Sequence, residues 1–229
     1  MIQHPKAMLR QFDLILFDLE GTLVDFQWRL GDAVSEILPV LARAGIDTYR
    51  YGAFPDYAGL YNTTQAIIQN WEPGKANQLF DQLTAIYDKY DRDALTRWTP
   101  YPDSRPVLEQ LSAQGYRMGI VSNCGSHAAD IVLERFSLSG FFEIILSRNH
   151  VSCLKPSPEG LHLALETLGT LPERALFVGD SINDILAANT VPMPSCFLSG
   201  GESRVTGKRA DIATFQVSFL SGLAHILTH

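Results

Sequence analysis

Apolar positions along the chain follow two patterns. Short unbroken apolar runs occur at 14–17 (LILF), 117–122 (RMGIVS), 143–147 (EIILS), 175–179 (ALFVG) and 194–199 (PSCFLS), with a weaker sixth at 211–215 (DIATF). They lack the polar alternation of a half-exposed strand, so they predict strands of a parallel sheet covered on both faces. Between them the spacing changes to three and four. At 103–115, Val107, Leu108 and Leu111 share a helical face and Gly115 supplies the stop. Segments 127–136, 157–169 and 182–190 read the same way. Strands alternating with helices predict right-handed crossovers and an α/β fold, a doubly wound parallel sheet of Rossmann-like layout.

One region breaks this rhythm. From Phe26 to about Thr99 no strand pattern occurs, and three helical stripes take its place. They are Leu30, Val34, Ile37, Leu38 and Leu41; Leu60, Tyr61, Thr64, Ile67, Ile68 and Trp71; and Leu79, Leu83, Ile86, Tyr87 and Tyr90. Such spacing makes amphipathic helices, with EPGK (72–75) as a turn between two of them. The expected organisation is an α/β core from residues 1–25 and 100–229, interrupted by an all-helical insert, 26–99. The three tryptophans and seven of the eight tyrosines lie at 26–101. They serve either the insert's own core or a pocket facing the sheet.

Composition narrows the class. Apolar residues are 46% and charged residues 19% of 229, which suits a globular chain rather than a disordered one. The net charge of −7 argues against a nucleic-acid or anionic-membrane partner. Cys124, Cys153 and Cys196 fit neither a disulfide framework nor a zinc spacing. No apolar run reaches the length of a membrane span, and the first residues lack a signal-peptide core. These features predict a cytoplasmic protein.

The strand ends carry the chemistry, because open α/β sheets bind ligands at their carboxyl edge. The first run ends in Asp18-Leu19-Glu20-Gly21-Thr22, the second in Ser122-Asn123, and the fourth in Gly179-Asp180-Ser181 with Asp184 one turn on; Lys155-Pro156 follows the third. Clustered carboxylates need a compensating cation, and oxygen ligands beside a phosphate favour magnesium. In such a set Asp18 can ligate the metal and attack phosphorus. Glu20 can protonate the leaving oxygen and later activate water. Ser122 and Lys155 can hold the non-transferred oxygens.

In this order and spacing the motifs resemble the haloacid dehalogenase-like hydrolases. FDLEGTLVD is similar to the family's first motif, GIVSN to the second, KPSPEG to the third and FVGDSINDILAAN to the fourth. The likeness is to the helical-cap branch that holds phosphoglycolate phosphatases and β-phosphoglucomutases, and it implies that the insert is a cap. It further implies Asp18 as the nucleophile that forms an aspartyl-phosphate and binds Mg2+. Glu20 becomes the acid/base, with its carbonyl on the metal. Ser122, Asn123 and Lys155 become phosphate-binding, Asp180 a metal ligand, and Asp184 a support of the metal site. Thr22 would orient the acid/base. The implied activity is a magnesium-dependent phosphatase acting on a small phosphorylated metabolite.

The departure from the motif is Glu20, where phosphatases of the family usually carry Asp. One methylene moves the carboxyl by roughly 1.5 Å, while proton transfer needs hydrogen-bond reach. A sugar-phosphate mutase and a phosphometabolite-binding protein with an impaired acid/base stay open beside the phosphatase. Arg29, Arg50 and Lys75, cations of the insert, read first as solvated surface charges and second as contacts for an anionic substrate. His127 reads as a helix-capping or surface residue, Cys124 as packing, and GGESR (200–204) as a loop bordering the site.

Overall fold

The computed structural model describes residues 11–25, 27–200 and 210–227. Six parallel strands form one sheet: β1 (Leu14–Phe17), β2 (Arg117–Val121), β3 (Ile144–Leu146), β4 (Ala175–Gly179), β5 (Ser195–Leu198) and β6 (Phe215–Val217), in the order β3-β2-β1-β4-β5-β6. The order reverses at β1, which pairs with β2 on one side and β4 on the other. That switch point is where a ligand crevice is expected in such sheets.

Alternate side chains of a strand point to opposite faces, and β1 shows why it contains no polar residue. Ile15 and Phe17 join one buried cluster with Met118, Ile120, Leu176 and Val178. Leu14 and Leu16 join the other with Leu161, Leu165 and Ala188. The second cluster is covered by α6 (Glu159–Leu168) and α7 (Ile182–Thr190); the first by α4 (Ser104–Ala113) and α5 (Ser126–Arg135). A short α8 (Leu223–Leu227) closes the chain's described part.

Between β1 and α4 the structure contains α1 (Leu30–Arg43), α2 (Tyr57–Ile68) and α3 (Pro73–Ala94). Their apolar stripes bury Ile37, Leu41, Leu60, Leu79, Leu83 and Tyr87 in the same cluster as Ile15 and Phe17. The chain enters and leaves this region side by side: Val24 bridges Pro100 antiparallel, and Asp25 N donates to Thr99 O at 3.0 Å.

Two expectations change. EPGK does not sit outside the helices. Glu72 caps α3 by accepting from Gly74 N and Lys75 N, and Pro73 opens the helix, where a missing N–H costs nothing. The sixth strand starts at Phe215 rather than spanning 211–215, and 210–212 form a 3-10 turn. The Gly115 stop holds, with φ +75°. Residues 201–204 of GGESR, the first ten residues and Phe26 lie outside the described residues.

Candidate active site

β1 and β4 are neighbours in register, so Asp18 and Asp180 leave the sheet side by side. Asp18 N still donates to Val178 O at 2.9 Å, which extends the ladder to the acid itself. The chain must then turn away. Gly21 adopts φ +82°, and a Cβ there would stand 2.5 Å from Asp180 Oδ2, so both conformation and space require glycine. Thr22 Oγ1 donates to Asp180 Oδ1 at 3.4 Å; its partner is the metal-side acid, not Glu20.

Asp184 sits in the first turn of α7. Its Oδ2 accepts from Ser181 Oγ at 2.6 Å and Ser181 N at 2.9 Å, a reciprocal capping box that also fixes the acid's rotamer. Its Oδ1 lies 2.7 Å from Lys155 Nζ, and the same ammonium donates to Asp18 Oδ1 at 2.6 Å. The lysine is only 4% exposed. Burial alone would lower its pKa, yet the contacts with Asp18 and Asp184 raise it, so it stays charged. Burial pushes the Asp18 carboxyl up to about 7; Lys155 opposes this and Asp184 adds to it.

Asp18, Asp180 and Asp184 each present an oxygen within 4.8 Å of the others. Three hard oxygen donors at one point, with a single ammonium against them, suit a divalent cation of magnesium's preference. Glu20 is partly buried, and its Oε1 is sealed from solvent without a hydrogen-bond partner. Burial first, then Asp91 and Asp18, push its carboxyl well above the usual range. The protonated form of this acid is thus favoured relative to a free carboxyl.

These groups line a cavity of about 290 Å³. Asp18, Glu20, Asn123, Lys155, Asp180 and Asp184 form its sheet side, with Leu30, Asp56, Tyr57 and Ala58 from the helices above. Ser122 is not among the residues lining it. It is buried, and its hydroxyl accepts from Cys124 N at 3.2 Å and faces Cys124 Sγ at 3.3 Å. The Asn123 amide pairs both ways with the Lys155 backbone, at 3.0 and 3.2 Å, and so holds the lysine segment.

The insert's cations do not reach this cavity. Arg29 Nε lies 3.5 Å from Asp93 Oδ2, Arg50 is exposed, and Lys75 lines a separate groove with Trp71. Among the described residues the cation lining the cavity is Lys155. Trp28 and Trp98 are core residues, and of the aromatics Tyr57 reaches the cavity wall. His127 is exposed and Cys124 is buried. Four contributors escaped the sequence reading: Ser181, Tyr57, Asp91 and Arg148. Ser181 was legible as a serine three residues before an acid at a helix start. Asp91 and Arg148 left no local signal, because their roles depend on helix and sheet packing.

Comparison with known proteins agrees with this geometry. The profile of the haloacid dehalogenase-like hydrolases matches residues 12–191. A phosphoglycolate phosphatase of Psychrobacter arcticus is 30% identical over 199 residues, covering 82% of this chain and 84% of its own. One from Aquifex aeolicus is 31% identical over 176 residues, covering 76% and 78%. Among solved structures, a predicted phosphoglycolate phosphatase from Haemophilus somnus superposes with a TM-score of 0.65 at 24% identity, covering 95% of this chain and 99% of that one; it speaks for the fold. The chain belongs to the haloacid dehalogenase-like hydrolase family and is a phosphatase within it.

Proposed function

We propose that the protein is a magnesium-dependent phosphatase that hydrolyses a small phosphorylated metabolite through an aspartyl-phosphate on Asp18. The observation that carries this is the convergence of Asp18, Asp180 and Asp184 on one point, with Lys155 between two of them and Glu20 on the same cavity wall. Asp18, Asp180, Asp184 and the Glu20 carbonyl would hold the cation, whose positive charge offsets the acids and draws in the phosphate. In the first step an Asp18 oxygen attacks phosphorus and the ester P–O bond breaks. Glu20 gives its proton to the leaving oxygen. In the second step Glu20, now ionised, takes a proton from water. The water oxygen attacks phosphorus, the bond to Asp18 breaks and phosphate leaves. Lys155 balances charge on the non-transferred oxygens throughout.

The insert, residues 26–99, acts in this reading as a cap that shields the cavity and contacts the leaving group. The curated relatives are named for phosphoglycolate, and a cavity of about 290 Å³ suits a substrate of that modest size. The three unpaired cysteines suit the cytoplasm, and among the described residues no helix is long and apolar enough to cross a membrane.

The test is an aryl phosphate assay with magnesium, then a panel of phosphate esters that includes phosphoglycolate. Asp18→Asn is expected to abolish turnover, and Glu20→Asp to equal or exceed the native rate. No turnover across the panel by folded, metal-loaded protein would sink the hydrolase reading. Bisphosphate-dependent isomerisation of a hexose phosphate would point to a mutase instead.

A further inference from the structure

Two polar ties run from the inserted helices to the Ser122–Gly125 loop and to the Lys155 segment, and apart from the effect of the Asp91 charge on Glu20 no step of the chemistry uses them. The first is centred on Asp91 of α3, which is buried. Its Oδ2 accepts from Gly125 N at 3.0 Å, and its Oδ1 from Trp28 Nε1 at 3.0 Å. Gly125 closes the Ser122–Gly125 loop. Arg148, 2% exposed and directly after β3, completes the tie. Its Nη1 donates to Asp91 Oδ2 at 2.9 Å, its guanidinium also contacts Asp88 and the Tyr57 hydroxyl, and its N–H donates to Cys124 O at 2.9 Å.

The second tie is Asn62 of α2. Its Nδ2 donates to Leu154 O at 2.8 Å and its Oδ1 accepts from Leu154 N at 2.7 Å. Leu154 precedes Lys155, which Asn123 grips in the same two-way manner. The helices are thus hydrogen-bonded to both segments, not merely laid over them. The approach is close enough to restrict sequence. A Cβ on Gly125 would stand 2.7 Å from Asp91 Oδ2 and 2.8 Å from Arg148 Nη2.

We propose that Asp91, with Arg148, and Asn62 are positioning residues for phosphate binding: docking of the inserted helices sets the Ser122–Gly125 loop and the Lys155 segment in their working geometry. Buried polar groups in such ties must keep their partners, so the docked arrangement is favoured over a range of looser ones. The buried Asp91 carboxylate and the Arg148 guanidinium pair with each other only when α3 is seated. This inference rests on the phosphatase reading for its consequence in turnover, but not for its consequence in phosphate binding.

The experiment uses full-length protein with Asp91→Asn, Gly125→Ala and Asn62→Ala, each checked by circular dichroism for native fold. Gly125 has φ −70°, so alanine fits the backbone and only wedges the tie apart. Inorganic phosphate binding is measured by calorimetry in saturating magnesium. kcat/KM on an aryl phosphate and the half-saturating magnesium concentration are measured alongside. Misplacement by a fraction of an ångström to 1 Å predicts about 10- to 100-fold weaker phosphate binding and a matching fall in kcat/KM. Magnesium half-saturation stays unchanged, because Asp18, Asp180 and Asp184 are untouched. Variants that lose thermal stability yet bind phosphate as the native protein does would overturn the proposal and leave the ties merely structural. Native protein that binds phosphate but turns over no ester would refute the phosphatase reading alone, with the binding comparison still deciding the positioning role.

Discussion

Glu20 enters the cavity with one oxygen that no protein group satisfies, and an unpaired buried oxygen is costly unless a ligand pairs it. If it carries the proton to the leaving group, Glu20→Gln keeps its shape and loses the proton. kcat is expected to fall about 10²- to 10⁴-fold, with KM for an aryl phosphate little changed; steady-state kinetics checks both. One residue on, Gly21→Ala meets both a left-handed backbone and a carboxylate 2.5 Å away. It is expected to displace Asp180 and raise the half-saturating magnesium concentration by tenfold or more, with a lowered melting temperature. The acids themselves were legible because they recur in order after several buried runs, a combination more specific than any single strand-end carboxylate. Their surroundings were not. Asp91, whose charge acts on Glu20, is 71 residues away in sequence on a helix that reads locally as an ordinary amphipathic one.

At the level of elements, the N-terminus of α7 serves two ends. Ser181 satisfies Asp184 N at 3.3 Å while gripping Asp184 Oδ2 with two donors. Ser181→Ala is expected to lower stability by about 1 kcal/mol, the usual worth of such a cap, and to weaken magnesium binding because Asp184 is freed to turn. Urea unfolding and magnesium titration separate the two effects. Elements with strong internal patterning, such as β1, β4 and α7, stand where periodicity sets them. β6 does not. It is a three-residue edge strand whose position follows its pairing with Cys196, Phe197 and Leu198 of β5, and no local pattern encodes a neighbour's register. Likewise Pro73 looks like a turn residue in isolation, but Glu72 turns it into a helix start.

For the whole molecule, the acid cluster ties stability to pH and to the cation. In the metal-free protein the folded-state pKa of Asp18 is about 7 against an ordinary 3.8, and that of Glu20 is also raised. The folded state therefore binds more protons than the unfolded one between about pH 4 and 7. Stability from these groups is present below that window and is lost as pH rises through the folded pKa. The melting temperature of metal-free protein is expected to fall from pH 5 to pH 8, and Asp18→Asn to flatten that fall. Magnesium at pH 8 is expected to restore stability, by about 2.7 kcal/mol at a concentration 100 times its Kd. Calorimetric melts with and without chelator decide it; a metal-free melting temperature that climbs across the window would contradict the assignment.

The alternation of buried runs and helical stripes determined the class of fold and the place of the helical insertion, since burial on both faces of a parallel strand dictates uninterrupted apolar residues. The order of acids, serine and lysine at or after the strand ends pointed to the type of chemistry proposed. Tertiary structure alone decided the rest. Lys155 lies between Asp18 and Asp184, the insert's surface cations stay clear of the cavity, and Asp91 of the insert pairs with Arg148 of the core. These are contacts between residues dozens to more than a hundred positions apart. Their energies depend on distance and burial, which local periodicity does not carry.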